Sequence, residues 1–584
     1  MASTAIVPRH LCAETSIVQL PPRAPRVLNN FVTEIVRATG LVGNEPHSVR
    51  IDNPRKGWLF FRLTAVTGRS GAVKLNIGLE GGAEYEVIGQ GRGQTKTTEA
   101  MRFLDKGEYS IRLNMKDAEV GLLEIRLIPI IIYERMLGNF RGMEGFPEYK
   151  REFLQRCGML DCINTIGTYD GFSWRREWID QGRHVIRIAG GINNYHAPDE
   201  AYWHWRGSMN NPGGQGIIID EFYPRLSKYF PGWVEALKRV KKDEPNMLCF
   251  LYTAGNSESL RTLIEPLKDI QDFYLAPEEQ VEEDRRTEKE VIREGFAKNS
   301  IASYKNSYFP NVSERTVHSV GIFSGPSENK YNDDVHPDRN WKVLKELHIH
   351  ELATDPIHRN VAGIDLYQSP QCKPEYLRWM AKLLRHYCIE GSSDRITSDP
   401  YELSHIQNPD FVNGIEGWAI DPAEVGSIAI KTLKGYGLNV QGRHAGVGVG
   451  DTAVWMKRQE DKPNTIRQKI RNLQNGRVYS VTMYTADLNN MNRRQLHSVG
   501  LRVAKARDMP GTEVHNAWRH EPHDDFGGND TWSNYHQILF RAESETAELI
   551  ISDWLYPEVP TGPVGQELLF NFIQVEPYFM ADGK

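Results

Sequence analysis

The sequence predicts a multidomain protein of mixed class, α/β plus all-β: a (β/α)8 barrel of the TIM type, flanked by an N-terminal β-sandwich and a C-terminal β-sandwich or jelly roll. Three observations predict it. Between residues 137 and 404, short runs that are apolar on both faces alternate with amphipathic helical segments, as parallel strands covered by helices require. Before them, apolar and polar residues alternate between Gly-rich turns, the pattern of half-buried antiparallel strands. After residue 405 short strands return, separated by Gly, Asn and Asp turns. At 584 residues the chain exceeds what one core can serve. The boundaries predicted are 1–26 for an N-terminal extension, 27–136 for the first sandwich, 137–404 for the barrel and 405–584 for the jelly roll.

The first sandwich rests on "GWLFFRLTAVTG", "AVKLNIGLEGG", "GEYSIRLNM" and "GLLEIRLIPIIIYER", none of which carries a helical stripe. The barrel rests on seven apolar runs: "LDCINTIGT", "HVIRIAG", "GIIIDEF", "NMLCFLYTAG", "DFYLAPE", "HSVGIFSG" and "VAGIDLYQS". Helices separate most of them. "PGWVEALKRVKK" sets Trp233, Leu237 and Val240 on one face, and "PEYLRWMAKLLRHYCIEG" starts after Pro, turns Leu377, Met380 and Leu384 inward, and stops at Gly391. Seven strands leave one to find, and "ELHIHELATD" is either that strand or a helix. A doubly wound open sheet is the alternative, but no GxGxxG turn follows an early strand.

Composition excludes several classes. A formal net charge of −6 gives no electrostatic ground for a nucleic-acid partner. No run reaches the ~18 apolar residues of a membrane span, and the first 26 residues lack a basic stretch followed by an apolar one, so no signal peptide is expected. The compartment and the oligomeric state stay open. Six cysteines are too few for a disulfide scaffold in a chain this long. "CGMLDC" lacks a second pair at zinc-ribbon spacing, so buried thiols are expected.

In a barrel the active site forms where strands end and βα loops begin. Several runs end in acids: Asp170, Asp220 with Glu221, Glu278 with Glu279, and Asp365. Side chains alternate along a strand, so Glu221 shares a face with Ile217 and Ile219, whereas Asp220 goes with Ile218 and Phe222. Glu221, nearer the mouth, is the expected general acid/base, with Asp220 orienting a neighbour or capping the following helix. Glu278 directly follows "YLAP" and is the expected partner, with Glu279, Asp170 and Asp365 in support. Glu282 and Glu283 lie in "EEQVEEDRRTEKEVIRE", which reads as a solvated helix. Two carboxylates from different strands meeting at one mouth are what glycoside hydrolysis uses.

Aromatic residues point the same way. "NNYHAPDEAYWHWRGSMNNPGGQG" reads as a loop carrying Tyr195, His196, Tyr202, Trp203, His204 and Trp205, and Trp174 follows an earlier strand. Such residues suit a sugar ring, apolar on its face and hydroxylated on its rim; the alternative is a packed lid burying its own Trp residues. "HIHE" (His348 to Glu351) sits late and reads as helix, so no metal role is expected. "HEPHDDFGGND" (His520 to Asp530) could offer carboxylate oxygens to a structural calcium, but lacks EF-hand spacing, and no other cofactor is expected.

The last third resembles the jelly-roll carbohydrate-binding modules found beside bacterial polysaccharide-degrading enzymes. The likeness lies in "NPDFVNGIEGWAI", "TIRQKIRNLQNGRVYSVTMYTAD" and "ELLFNFIQVEPYF". The barrel resembles the glycoside hydrolase superfamily, "IIIDEF" being similar to acid-bearing strand ends there; no particular family is recognised. Members of one large clan carry the acid on the fourth strand, usually after Asn, and the nucleophile on the seventh. Here Glu221 follows Asp and falls on the third strand counted. Together these features imply a glycoside hydrolase acting on a poly- or oligosaccharide. Two other readings stay open: a non-catalytic glycan-binding or surface protein with a degenerate barrel, and a metal-dependent hydrolase or lyase in which His348, His350 or other ligands converge on one point.

Overall fold

Eight parallel strands close into a barrel in a computed structural model of the chain. They are β1 (Ile130–Arg135), β2 (Thr165–Thr168), β3 (His184–Ala189), β4 (Gly216–Phe222), β5 (Leu248–Thr253), β6 (Phe273–Glu279), β7 (Val317–Gly321) and β8 (Gly363–Tyr367). Each pairs with the next, and β8 closes on β1 through Gly363↔Ile130 and Asp365↔Ile132. The structure describes residues 18–20, 24–42, 46–78, 95–135, 149–169, 171–189, 195–209, 214–253, 258–279, 281, 283, 285–292, 311–324, 332–367, 369–437, 450–520 and 531–580.

The seven runs picked out by their apolarity are β2 to β8. The eighth strand is "IIIYER", which the sequence pattern assigns to the sandwich. Only Pro129 separates it from the preceding strand Gly107–Ile128. Pro129 cannot donate to a ladder, so one continuous-looking run is divided between two sheets. "ELHIHELATD" is helix: Trp341–Thr354 is capped by Asn340, whose Oδ1 accepts from the backbone N–H groups of Lys342 and Val343. With β1 counted, "GIIIDEF" is the fourth strand, not the third.

The chain divides into two compact units, Met1–Pro129 with Glu177–Arg183, and Ile130–Arg176 with His184–Lys584. The sandwich therefore ends at Pro129 rather than residue 136. Its long strand Gly107–Ile128 pairs with His47–Asn53 through its first half and Thr33–Leu41 through its second. Asp117, at φ 46°, sits between the halves, and Ile111, Leu113, Leu123 and Ile125 meet in one core.

In the second unit, helices α1 (Pro198–Ser208) and α2 (Phe230–Asp243) cover the outer side of β3 to β6. Trp205, Trp233 and Leu237 pack there on Ile217, Ile219, Leu251 and Leu275. The C-terminal residues form a four-stranded and a seven-stranded antiparallel sheet that share a core including Ile466 and Ile551 from one and Val481 and Phe570 from the other. The charge run after β6 departs from the predicted solvated helix. Glu283 is buried, and its carboxylate accepts the backbone N–H groups of Val335 and His336, both at 3.1 Å.

Candidate active site

The isoleucines of β4 fix which face looks into the barrel. Ile217 and Ile219 belong to the helix-facing core. Ile218 lies on the inner face, where a Cβ added to Gly167 of β2 would stand 3.1 Å from Ile218 Cδ1 and 3.8 Å from Glu134 Cγ. The Gly167 position thus leaves room for two inward side chains from other strands.

Strict alternation would then turn Glu221 outward with Ile217 and Ile219, the reverse of the expected assignment. Beyond Ile219, however, the strand departs from alternation. Ile219 pairs with Leu251 while Phe222 pairs with Thr253, so Asp220 and Glu221 together stand opposite Tyr252. This is a β-bulge, a device that re-aims side chains near active sites. It returns Phe222 to the helix-facing core and leaves both acids between two outward residues. Asp220 continues the inner face from Ile218; the Glu221 side chain, like the whole of Asp170, lies outside the described residues.

β6 carries the second acid. Glu278 pairs with Ser319 of β7, Ser319 with Asp365 of β8, and Asp365 with Ile132 of β1. Paired residues of parallel strands share a face, so Glu278 and Asp365 look inward with Ile132. Asp365 is fully buried and accepts a hydrogen bond from the Tyr252 hydroxyl at 2.5 Å. Burial raises its carboxyl well above the usual range, with the neighbouring Ser319 hydroxyl pulling the other way. Asp365 is therefore held toward its neutral form. Aromatic rings stand beside it: Tyr252 and Tyr367 meet edge to face at 5.7 Å, and Phe323 lies 5.6 Å from Tyr367.

Glu279 leaves the mouth altogether. One residue past Glu278, it turns outward, where its oxygens meet His318 Nδ1 at 2.5 Å and His348 Nε2 at 2.8 Å. Burial raises Glu279 and lowers both histidines, most strongly His318. His350 points elsewhere, to the Ser393 carbonyl at 3.1 Å, because residues two apart on a helix diverge. His348 and His350 therefore do not converge. Among the described residues, no group of three or more His, Cys, Asp or Glu side chains could hold a metal ion. Residues 521–530, where a calcium loop was considered, lie outside the described ones.

The aromatic loop is mostly helix. Tyr202, Trp203, His204 and Trp205 lie in α1, on the outer layer. Trp205 is fully buried against the barrel wall and has no surface to offer a sugar. Tyr202 hydrogen-bonds Asp243 of α2 at 2.5 Å, under the Arg239 guanidinium. Tyr195 stacks on His204 at 4.0 Å, and His196 on Tyr229 at 4.2 Å. These contacts hold helices together; Trp203, 67 % exposed, presents its ring outward, and His196 is exposed as well. Trp174 is half-buried after β2, 4.5 Å from Phe172, on the side where strands end.

Sequence reasoning missed Glu134. It is fully buried, sits at the end of β1, and shares the inner face with Gly167. The signal was available: "IIIYER" and "IIIDEF" are the same device, three isoleucines running into an acid.

Sequence comparison finds no relative: no family model matches the chain and no curated protein matches it. Solved structures do resemble it. One is a cycloisomaltooligosaccharide glucanotransferase of Paenibacillus sp. complexed with cycloisomaltoheptaose, 11 % identical over 95 % of this chain and 72 % of that one, with a TM-score of 0.33. Another is a β-glucuronidase of Bacteroides uniformis, 10 % identical over 93 % and 80 %, TM-score 0.33. A third, TmCBM61 in complex with β-1,4-galactotriose, is 14 % identical and covers 30 % of this chain and 97 % of its own, TM-score 0.18.

Proposed function

We propose that the protein is a glycoside hydrolase that cleaves a poly- or oligosaccharide at the mouth of the barrel with two carboxylates. The observation that carries the reading is the pairing of an acid-bearing bulge at the end of β4 with the inward Glu278 at the end of β6. Asp220, on the inner face, and Glu278 are the pair assigned; Glu221 shares the bulge.

The chemistry follows from what a glycosidic bond requires. One carboxyl group protonates the departing oxygen, while the other, ionised, attacks the anomeric carbon or takes a proton from the water that does. Asp365, buried and bonded to Tyr252, does neither; it fixes the Tyr252 ring between β4 and β6. Tyr252, Tyr367 and Phe323 are buried and pack around this carboxyl from inside the barrel.

Release of reducing ends across a panel of polysaccharides tests this, with Asp220→Asn, Glu221→Gln and Glu278→Gln compared against the unaltered chain. Glu278→Gln and one of the two β4 variants should each lose about a hundredfold or more in kcat. Full turnover in all three variants on a substrate the protein cleaves would sink the assignment. Cleavage of nothing on the panel, with glycan binding retained, would favour the non-catalytic reading.

A further inference from the structure

A second cavity lies away from the strand ends. It has a volume of about 290 Å³ and opens between helix α4 (Pro374–Leu384, with α3 the helix Trp341–Thr354), the segment 396–399 that leaves the barrel, and the C-terminal sheet at 476–478, Arg541 and 577–580. Its charged lining consists of Lys342, Lys382, Arg477 and Arg541 against Asp399.

Two of the four cations are already answered. Arg477 grips Asp399 with both guanidinium arms, at 2.6 and 2.5 Å, and Lys342 lies between Glu375 at 2.9 Å and Glu576 at 2.7 Å. The other two are not. Lys382 holds its ammonium 5.0 Å from the centre of the Phe579 ring and 5.7 Å from that of Trp379. Arg541 donates one N–H to the Gly476 carbonyl at 2.6 Å. Among the described residues neither has a carboxylate within ion-pair distance. The cavity therefore brings together two uncommitted cations and two aromatic rings, with the hydroxyls of Thr397 and Ser398 on its edge.

We infer that this cavity binds a small anionic sugar unit, its ring against Phe579, which Trp379 backs edge to face at 5.3 Å, and its acidic group between Lys382 and Arg541. A guanidinium offers paired donors that match a carboxylate or phosphate, and charge-assisted bonds of that kind are about twice as strong as neutral ones. The aromatic wall suits the apolar face of a pyranose. At about 290 Å³ the space stands at the small end of ligand cavities, about 300–1,000 Å³, which limits the occupant to roughly one sugar residue. The site does not depend on the proposed hydrolysis.

Titration of the full chain with sodium glucuronate, glucose 6-phosphate and glucose, followed by calorimetry, tests it. Glucuronate or glucose 6-phosphate should bind about tenfold or more tightly than glucose, and binding should weaken with added salt. The order of the two anions tells a carboxylate site from a phosphate site. Lys382→Gln with Arg541→Gln should abolish the preference, while Lys382→Arg should keep it; thermal unfolding of each variant controls for folding. No binding by either anion at millimolar concentration, equal binding of glucose, or unchanged binding in a folded double variant would each overturn the inference.

Discussion

Glu279 and His348 meet at 2.8 Å directly behind the mouth, while the other oxygen of Glu279 meets His318 of β7. Glu279 thus ties the end of β6 to β7 and to α3, and its neighbour Glu278 is held on the opposite face of the same strand. Glu279→Ala should destabilise the fold by about 3 kcal/mol, since it leaves two imidazole N–H groups buried without an acceptor. On a cleaved substrate it should lower kcat more than it raises KM, because Glu278 loses its backing rather than its contact. Glu279→Gln, which can accept from one imidazole, should recover part of both losses. Unfolding in urea and steady-state kinetics on the two variants read the two effects; wild-type kcat in Glu279→Ala would remove the positioning role.

The two tryptophans of α1 should behave oppositely, although two positions apart. Trp205 is fully buried in the helix-facing core and Trp203 is 67 % exposed. Trp205→Ala should cost about 3–5 kcal/mol through the cavity it leaves. Trp203→Ala should change stability by no more than about 0.5 kcal/mol. Equal losses in denaturant unfolding would contradict the burial that separates them.

That contrast also marks how much was legible in the sequence. Period and burial are tied together in parallel strands, so β2 to β8 were readable as apolar runs bounded by helices. β1 was not, because Pro129 interrupts hydrogen bonding without interrupting apolarity. The helix α1 was read as a loop since its flanks are rich in Asn, Gly and Pro, yet Pro198 sits in the first turn, where it is tolerated. The acids of β4 are legible in the sequence, but the bulge that carries them is not. A bulge adds one residue to a strand without changing its composition, and only pairing with β5 reveals it. Glu278 is preferred to Glu279 by distance along the strand; in the structure Glu278 looks inward, and the histidines that claim Glu279 come from residues 39 and 69 positions away.

The contribution of the buried histidines to stability should fall as the solution is acidified below about pH 6.5. Burial lowers His318, His348 and His536, brings His497 to about 4 and takes His520 to about 3. A histidine lowered in the folded state stabilises above its unfolded value, about 6.5, and that contribution is lost as the pH falls through the folded one. Going from 6.5 to about 4, His497 alone accounts for about 3 kcal/mol. Glu279, raised by burial, has the opposite sign: it favours the folded state at low pH and that contribution is lost as pH rises through its folded value. Asp365, Glu283, Glu576, Asp553 and Asp333, the last raised to about 6, share that sign, so the histidine share is read from a variant rather than from the whole profile. In thermal unfolding between pH 8 and pH 5, about 1.5 units to either side of the ordinary histidine value, His497→Gln should lose less Tm on acidification than the unaltered chain. An equal loss in His497→Gln and the unaltered chain would contradict the burial of this ring.

The C-terminal sheets should prove inseparable from the barrel. Glu576 reaches Lys342 of α3 at 2.7 Å and accepts from the Tyr376 hydroxyl of α4 at 2.7 Å. Lys373, just before α4, pairs with Asp334 at 2.5 Å, and Asp334 in turn meets Gln574 at 3.5 Å. All of these side chains are buried. Removing one member of such a group leaves an uncompensated charge out of water, which costs about 3–5 kcal/mol. Glu576→Ala should lose that much, as Lys342 keeps only Glu375 and the Tyr376 hydroxyl keeps only its longer bond to Asp334 at 3.4 Å. Glu576→Gln should lose less, since an amide oxygen still accepts from Tyr376. A chain ended at residue 404 exposes Lys342, Tyr376 and Lys373 together with the apolar faces around them, and should not unfold cooperatively. Urea titration followed by tryptophan fluorescence measures all three; a cooperative transition in the shortened chain, at the midpoint of the whole protein, would show that the buried pairs contribute nothing to holding the barrel.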